Sequence, residues 1–159
     1  MGSVNPGLFS SATGEWSTPQ DLFDELDREF RFGLDPCATP ENAKCAEFYT
    51  KEDDGLSKHW GGMFCASVFV NPPYGRQIKQ WVKKAAQEAR EGATVVMLIP
   101  ARTDTAWWHD YIWDTAKQQP KQGVEVRFLR GRVKFGGHRS GAPFPSAVVV
   151  FQPVVITSA

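Results

Sequence analysis

The residues best suited to chemistry stand together at Val70-Asn71-Pro72-Pro73-Tyr74. Two consecutive prolines fix φ at both positions and withdraw two N–H donors, so the carbonyls of Asn71 and Pro72 face outwards in a rigid arc. Beside that arc stand an amide side chain and an aromatic ring. The set suits an amino group carried on a flat heterocycle. The Asn71 side-chain oxygen and the Pro72 carbonyl can accept its two N–H protons, while Tyr74 stacks on the ring. The competing reading is a plain strand-to-helix turn with an exposed Tyr, because Pro-Pro pairs are common punctuation. Two more segments stop as abruptly, Leu34-Asp35-Pro36-Cys37-Ala38 and Ile99-Pro100-Ala101-Arg102. Ligands of open α/β sheets bind beyond the carboxyl ends of strands, so all three segments are candidates for one site.

These loops need elements to hold them. Thr18, Pro19 and Asp21 look like a helix start: Thr as N-cap, Pro in the first turn where a missing N–H costs nothing, an acid near the positive end of the dipole. Leu22, Phe23, Leu26 and Phe30 recur at three- and four-residue spacing, which predicts an amphipathic helix over 19–30. A short strand is expected at 47–50, and a buried one over 66–71 that Pro72 ends. Ile78, Trp81, Val82, Ala85, Ala86 and Ala89 predict a helix over 76–91, with Gly92 at its C′ position. An apolar strand follows over 94–99. Trp107, Trp108, Tyr111 and Ile112 predict a third helix over 104–117, with one of the two tryptophans in the core and the other at the surface. Strands over 124–129 and 147–151, joined by a Gly-rich basic loop, complete the series. Alternating strands and helices of these lengths predict a single compact α/β domain with a mainly parallel sheet and a C-terminal antiparallel hairpin. Order is expected from Trp16, after an uncharged flexible arm at 1–14, and a tail is expected at 154–159.

At 159 residues, with 42% hydrophobic and 23% charged, the chain has globular composition and suits one domain of roughly 100–200 residues. Its zero net charge is a cancellation. Residues 1–60 hold twelve acids and five bases, a net of −7, whereas residues 61–159 hold six acids and thirteen bases, a net of +7. Such asymmetry can mark nucleic-acid contact or simply two solvated faces. No run approaches the ~18 apolar residues of a membrane helix, and the start lacks the basic-then-apolar pattern expected of a signal peptide. Cys37, Cys45 and Cys65 read as reduced, packed thiols in a cytoplasmic protein. His59, His109 and His138 are too scattered to suggest a zinc site, and no metal is expected.

Taken in order, the motifs form a longer pattern. It runs W-S-T-P-Q at 16–20, L-D-P-C-A at 34–38, E-N-A-K-C at 41–45, Y-T-K-E-D-D-G-L at 49–56 and F-V-N-P-P-Y at 69–74. V-M-L-I-P-A-R-T-D-T at 96–105, F-L-R-G-R-V-K-F at 128–135 and P-F-P-S-A at 143–147 follow. This series resembles the phage-type, Dam-like DNA adenine-N6 methyltransferases, which use S-adenosylmethionine. The resemblance implies a class I, Rossmann-like methyltransferase domain over 15–153. It implies a catalytic loop of Asn71, Pro72, Pro73 and Tyr74 that presents a flipped adenine. It also implies cofactor contacts at Thr18, Pro19, Asp35, Pro36, Cys37, Ala38, Asp54, Leu56 and Asn71. No Gly-x-Gly follows Asp35, so the turn D-P-C-A-T-P-E-N must serve instead, with Asn42 helping.

Arg127, Arg130, Arg132, Lys134 and Arg139 fall within thirteen acid-free residues, interleaved with Phe128, Phe135 and glycines. Such a flexible cationic loop suits phosphate and base-edge contacts. With Arg76, Lys79 and Arg102 flanking the catalytic loop, double-stranded DNA is the expected partner of a monomer or homodimer in the host cytoplasm. Sequence recognition is expected from loops or a second subunit, and GATC is the first sequence to try. An RNA or protein-amide methyltransferase, or an inactive cofactor-binding anti-restriction protein, would carry the same loop or fold.

Overall fold

The computed structural model describes residues 17–61, 67–136 and 139–154. The expected arm at 1–14, the order expected from Trp16, Cys65, Ala66, His138 and most of the expected tail lie outside the described residues. The elements are α1 (Gln20–Phe30), β1 (Leu34–Asp35), β2 (Glu47–Phe48), a 3-10 turn (Gly55–Ser57), β3 (Ser67–Val70), α2 (Ile78–Arg90) and β4 (Thr94–Pro100). They continue with α3 (Ala106–Tyr111), β5 (Trp113–Asp114), β6 (Gln119–Pro120), β7 (Val124–Phe128) and β8 (Ser146–Phe151).

Six strands form one sheet in the order β2-β1-β3-β4-β8-β7. The pairs β1–β2, β1–β3 and β3–β4 are parallel, whereas β8 is antiparallel to both β4 and β7. Only β8 therefore runs against the others, and β7 regains the common direction at the edge. The mainly parallel sheet and the C-terminal antiparallel pair are as expected, in a Rossmann-like arrangement.

Both faces of the sheet are covered, so its central strands are apolar along their whole length. β4 divides its side chains by the two-residue period of a strand. Val95, Met97 and Ile99 join Trp81, Val82 and Ala85 of α2 and Trp107 and Trp108 of α3. Val96 and Leu98 join Phe23 and Leu26 of α1 and Val133, Phe135 and Phe144 of the β7–β8 connection. Gly92 ends α2 at φ 111°, a conformation that suits glycine, and the Ala93 N–H returns to the Glu88 carbonyl at 3.0 Å.

Three expectations need correction. Thr18 does not cap α1: Pro19 holds that position without a side-chain cap, and its carbonyl accepts the Phe23 N–H at 3.0 Å. The third helix is six residues long, not fourteen. Beyond Ile112 the sequence Thr115-Ala116-Lys117-Gln118 offers little apolar surface to bury. The chain turns there through Asp114 Oδ1, which accepts the Lys117 N–H, and pairs β5 with β6. Finally, both Trp107 and Trp108 are buried, their rings 5.9 Å apart, in the core that α3 shares with α2 and β4.

Candidate active site

Along the chain, β1 leads outward to β2, while β3 leads the opposite way to β4. The carboxyl ends of β1 and β3 thus flank the point where strand order reverses, the usual ligand crevice of such sheets. A cleft of about 540 Å³ opens at this end. The turn after β1 lines it with Pro36, Cys37 and Ala38, and the segment after β2 with Asp54 and Leu56. Pro73, Tyr74 and Arg76 come from the segment after β3. Residues predicted from three distant motifs share one cavity.

Asn71 is buried at the end of β3. Its side-chain Nδ2 donates to Thr18 Oγ1 at 3.1 Å, and its Oδ1 accepts from the Tyr74 hydroxyl at 2.9 Å. Tyr74 also lies 3.2 Å from the Leu98 carbonyl, and its ring meets Phe135 and Phe144 edge-on at 6.1 and 5.4 Å. Burial pushes the phenol well above its ordinary pKa, so it stays a neutral donor. Thr18 is therefore bonded to the loop after β3, and it does not cap the helix that it precedes.

Asp35 is the buried acid of the site. Its Oδ2 accepts the Lys44 backbone N–H at 3.1 Å, while Oδ1 has no hydrogen-bond partner among the described residues. Burial pushes its pKa up to about 7, against the lowering effect of the Lys44 and Cys37 backbone groups. Asn42 works on the turn itself: its Oδ1 accepts the Thr39 N–H at 2.7 Å, and it does not line the cleft. Neither do Thr18, Pro19, Asp35 or Asn71.

Gly55 carries a role that its sequence surroundings do not mark. A Cβ there would lie 2.1 Å from the Pro36 carbonyl oxygen, so only glycine lets the second acidic segment close on the turn after β1. Its own carbonyl accepts the Trp60 indole N–H at 2.8 Å. Thr50, Lys51, Gln77, Gln80 and Trp81 also line the cleft without having been singled out. The i, i+3, i+4 spacing of Gln77, Gln80 and Trp81 on α2 was the available signal. Of the acidic pair, Asp53 folds back to accept the Thr50 N–H at 2.9 Å, while Asp54, at φ 57°, lines the cavity.

The basic run divides. Arg127 donates to both Glu29 carboxylate oxygens at 2.7 and 2.6 Å and to Glu125 at 2.6 Å, and the Arg127 hydrogen bonds hold Glu29 below its ordinary pKa. Arg130, Arg132, Lys134 and Arg139 are exposed, as are Arg76, Lys79 and Arg102. The loop that carries them is pinned rather than loose. Val133, Phe135, Ala142 and Phe144 are buried, Ala142 N–H meets the Val133 carbonyl, and Gly136 N–H meets the Ser17 carbonyl. Exposed and buried residues alternate over 132–136, so Arg132 and Lys134 stand on a fixed ribbon. Phe128, 63% exposed, ends β7 on the same sheet edge as Asn71.

At the opposite edge, His59, Glu88 and Glu91 bring possible ligand atoms within 4.8 Å. The Glu88 carboxylate there accepts the Trp60 N–H at 2.6 Å and the Lys84 ammonium at 3.1 Å. It works as a buried brace between α2 and the segment before β3.

Residues 8–154 match the family described as DNA N-6-adenine-methyltransferase (Dam). A DNA N-6-adenine-methyltransferase of Escherichia phage T1 is 36% identical over 94 residues, covering 58% of this chain and 38% of that protein. One from Haemophilus phage HP1 is 28% identical over 145 residues, covering 87% of this chain and 78% of that protein. The chain thus spans about two fifths of the first relative and most of the second. With the family's match running through every strand of the sheet and both sides of the cleft, the chain belongs to the Dam family of DNA N-6-adenine-methyltransferases.

Proposed function

We propose that this chain transfers a methyl group from S-adenosylmethionine to the N6 amine of an adenine flipped out of double-stranded DNA, with residues 71–74 holding the amine. The observation that carries this reading is the buried Asn71 amide, fixed between two hydroxyls at the carboxyl end of β3 beside the cleft.

The residues around the cleft fit the cofactor. Asp35 Oδ1 is a buried acceptor without a partner among the described residues, suited to a cationic or hydroxyl donor on a ligand. Pro36, Cys37, Ala38, Asp54 and Leu56 would line its seat, with Gly55 setting the width. When bound, S-adenosylmethionine supplies a methyl group already activated by its sulfonium, so the protein's contribution is alignment for an in-line displacement.

The adenine amine is a weak nucleophile because its lone pair delocalises into the ring. Accepting its two N–H bonds on Asn71 Oδ1 and the Pro72 carbonyl favours a pyramidal nitrogen and returns electron density to it. The Asn71 oxygen has two lone pairs, of which Tyr74 uses one. The Tyr74 ring offsets part of the cost of unstacking the base. Arg76, Lys79 and Arg102 hold the target strand, while Arg130, Arg132, Lys134 and Arg139 meet the flanking phosphates. Phe128 stands three strand spacings from β3, about 14 Å, and reaches DNA about four base steps away.

Unmethylated plasmid incubated with labelled cofactor, then digested for nucleoside mass spectrometry, tests the reading. N6-methyladenine in the DNA is expected. Cofactor binding with label only in RNA, only in protein amides, or nowhere would overturn it.

A further inference from the structure

We infer that Ser17 and Thr18 form a clip between the catalytic loop and the basic ribbon, in which Thr18 is a positioning residue for Asn71. The inference rests on the proposed role of Asn71 and goes beyond it. Thr18 is buried, and its hydroxyl meets the Asn71 amide at 3.1 Å from 53 residues away in sequence. The neighbouring Ser17 carbonyl accepts the Gly136 N–H at 2.8 Å, on the ribbon carrying Lys134 and Arg139. Two adjacent residues thus grip both sides of the target-facing edge. The next turn of chain is α1, whose Phe23 and Leu26 anchor the clip in the core beneath the ribbon.

Thr18 precedes α1, and Pro19 holds the N-cap position without a side-chain cap. Thr18 is bonded to the Asn71 amide and is not among the residues lining the cleft, which places it to act on the reaction through Asn71. A reacting amine tolerates little misplacement, and a shift of about 1 Å in a positioned group can cost about 100-fold in rate.

The test compares Thr18→Val with Thr18→Ser. Valine keeps the volume and removes the hydroxyl; serine restores the hydroxyl. Thr18→Val is expected to lower kcat on DNA about 10- to 100-fold at saturating cofactor, with cofactor Kd within about threefold of wild type. Thr18→Ser is expected to recover kcat to within about threefold. The Asn71 side-chain NH2 resonances, assigned in the free protein, should move in the valine variant and return in the serine variant. A loss of cofactor affinity that accounts for the whole effect would overturn the inference, making Thr18 a cofactor contact. Unmoved Asn71 resonances, or a serine variant as slow as valine, would overturn it too. If wild type methylates no DNA, the proposed function fails, and the resonances alone decide the clip. If Thr18→Val does not fold, Thr18→Ala takes its place in the same comparison.

Discussion

The turn after β1 and the ribbon before β8 bound the same edge of the sheet, yet they are built on opposite plans. The turn is held by backbone and short polar contacts: Ala38 N–H to the Tyr49 carbonyl, Thr39 to Asn42, Lys44 N–H to Asp35, and a glycine pressed on Pro36. The ribbon is held by apolar side chains, with Val133, Phe135, Ala142 and Phe144 sunk into the core and the charges left outside. The division suits the proposed function, in which a seat for a polar small molecule needs polar partners at close range and a platform for a polyanion needs a rigid base with cations in water. The −7 and +7 halves of the sequence correspond to this division, and Arg127 with Glu29 joins them across the boundary.

Four variants would break or sharpen that contrast. Asn71 stands between the two regions, and Asn71→Ala should cut turnover about 1000-fold or more while leaving cofactor and DNA affinities within a few-fold. Steady-state rates beside direct titrations check this, and lost cofactor binding with residual turnover would make Asn71 a cofactor ligand instead.

Asp35→Asn should act on the cofactor side alone. The fold raises the Asp35 pKa from an ordinary 3.8 to about 7, so the folded protein holds a proton that the unfolded chain releases between those values. The stability contributed by this group is complete below pH 3.8 and is lost as pH rises through about 7. Melting curves should show Asp35→Asn about 2–4 kcal/mol more stable than wild type at pH 8, with the advantage vanishing towards pH 4. Cofactor binding should weaken at the same time. An advantage that grew on acidification would mean that the buried carboxylate is ionised in the fold.

On the ribbon, replacing Arg130 and Arg132 with Ala should weaken DNA binding and reduce the slope of log K against log salt by about 1–2 units. Cofactor affinity should not change; a constant salt slope would remove the ribbon from the footprint. Arg127→Ala, in the same basic run, should leave that slope alone because its guanidinium is committed to Glu29 and Glu125. Its effect on stability should be less than about 1 kcal/mol, as for other partly exposed ion pairs. A drop in slope like that of the Arg130 and Arg132 variant would show that the pairs yield to phosphate.

Much of this was legible in the sequence for a local reason. Apolar runs closed by prolines mark β3 and β4, and Gly92 marks the end of α2; each signal lies within a few residues of its effect. The cleft could be assembled because sheet topology rules bring Pro36, Asp54 and Tyr74 to one edge once the strands are known. What stayed hidden depends on distant partners. Nothing near Gly55 announces the Pro36 carbonyl, and nothing near Arg127 announces Glu29, 98 residues earlier. Thr18 misled because a threonine before Pro19 satisfies the capping pattern, while its partner lies in another motif. The ribbon was a signal passed over: Val133-Lys134-Phe135 alternates apolar and charged residues, as a strand with one buried face does.

The reversed strand β8 has a consequence for how the molecule is made. It is the last described strand in sequence order, but it lies inside the sheet, with β4 on one side and β7 on the other. Val95 waits for Phe151, and Pro100 for Ser146. As the chain leaves the ribosome, β4 therefore keeps an open edge until residues 146–151 have emerged, and β7 has no neighbour in the sheet until then. Closing the sheet is a long-range step that waits for every other described strand to be made, the kind of step that slows folding and leaves strand edges exposed meanwhile.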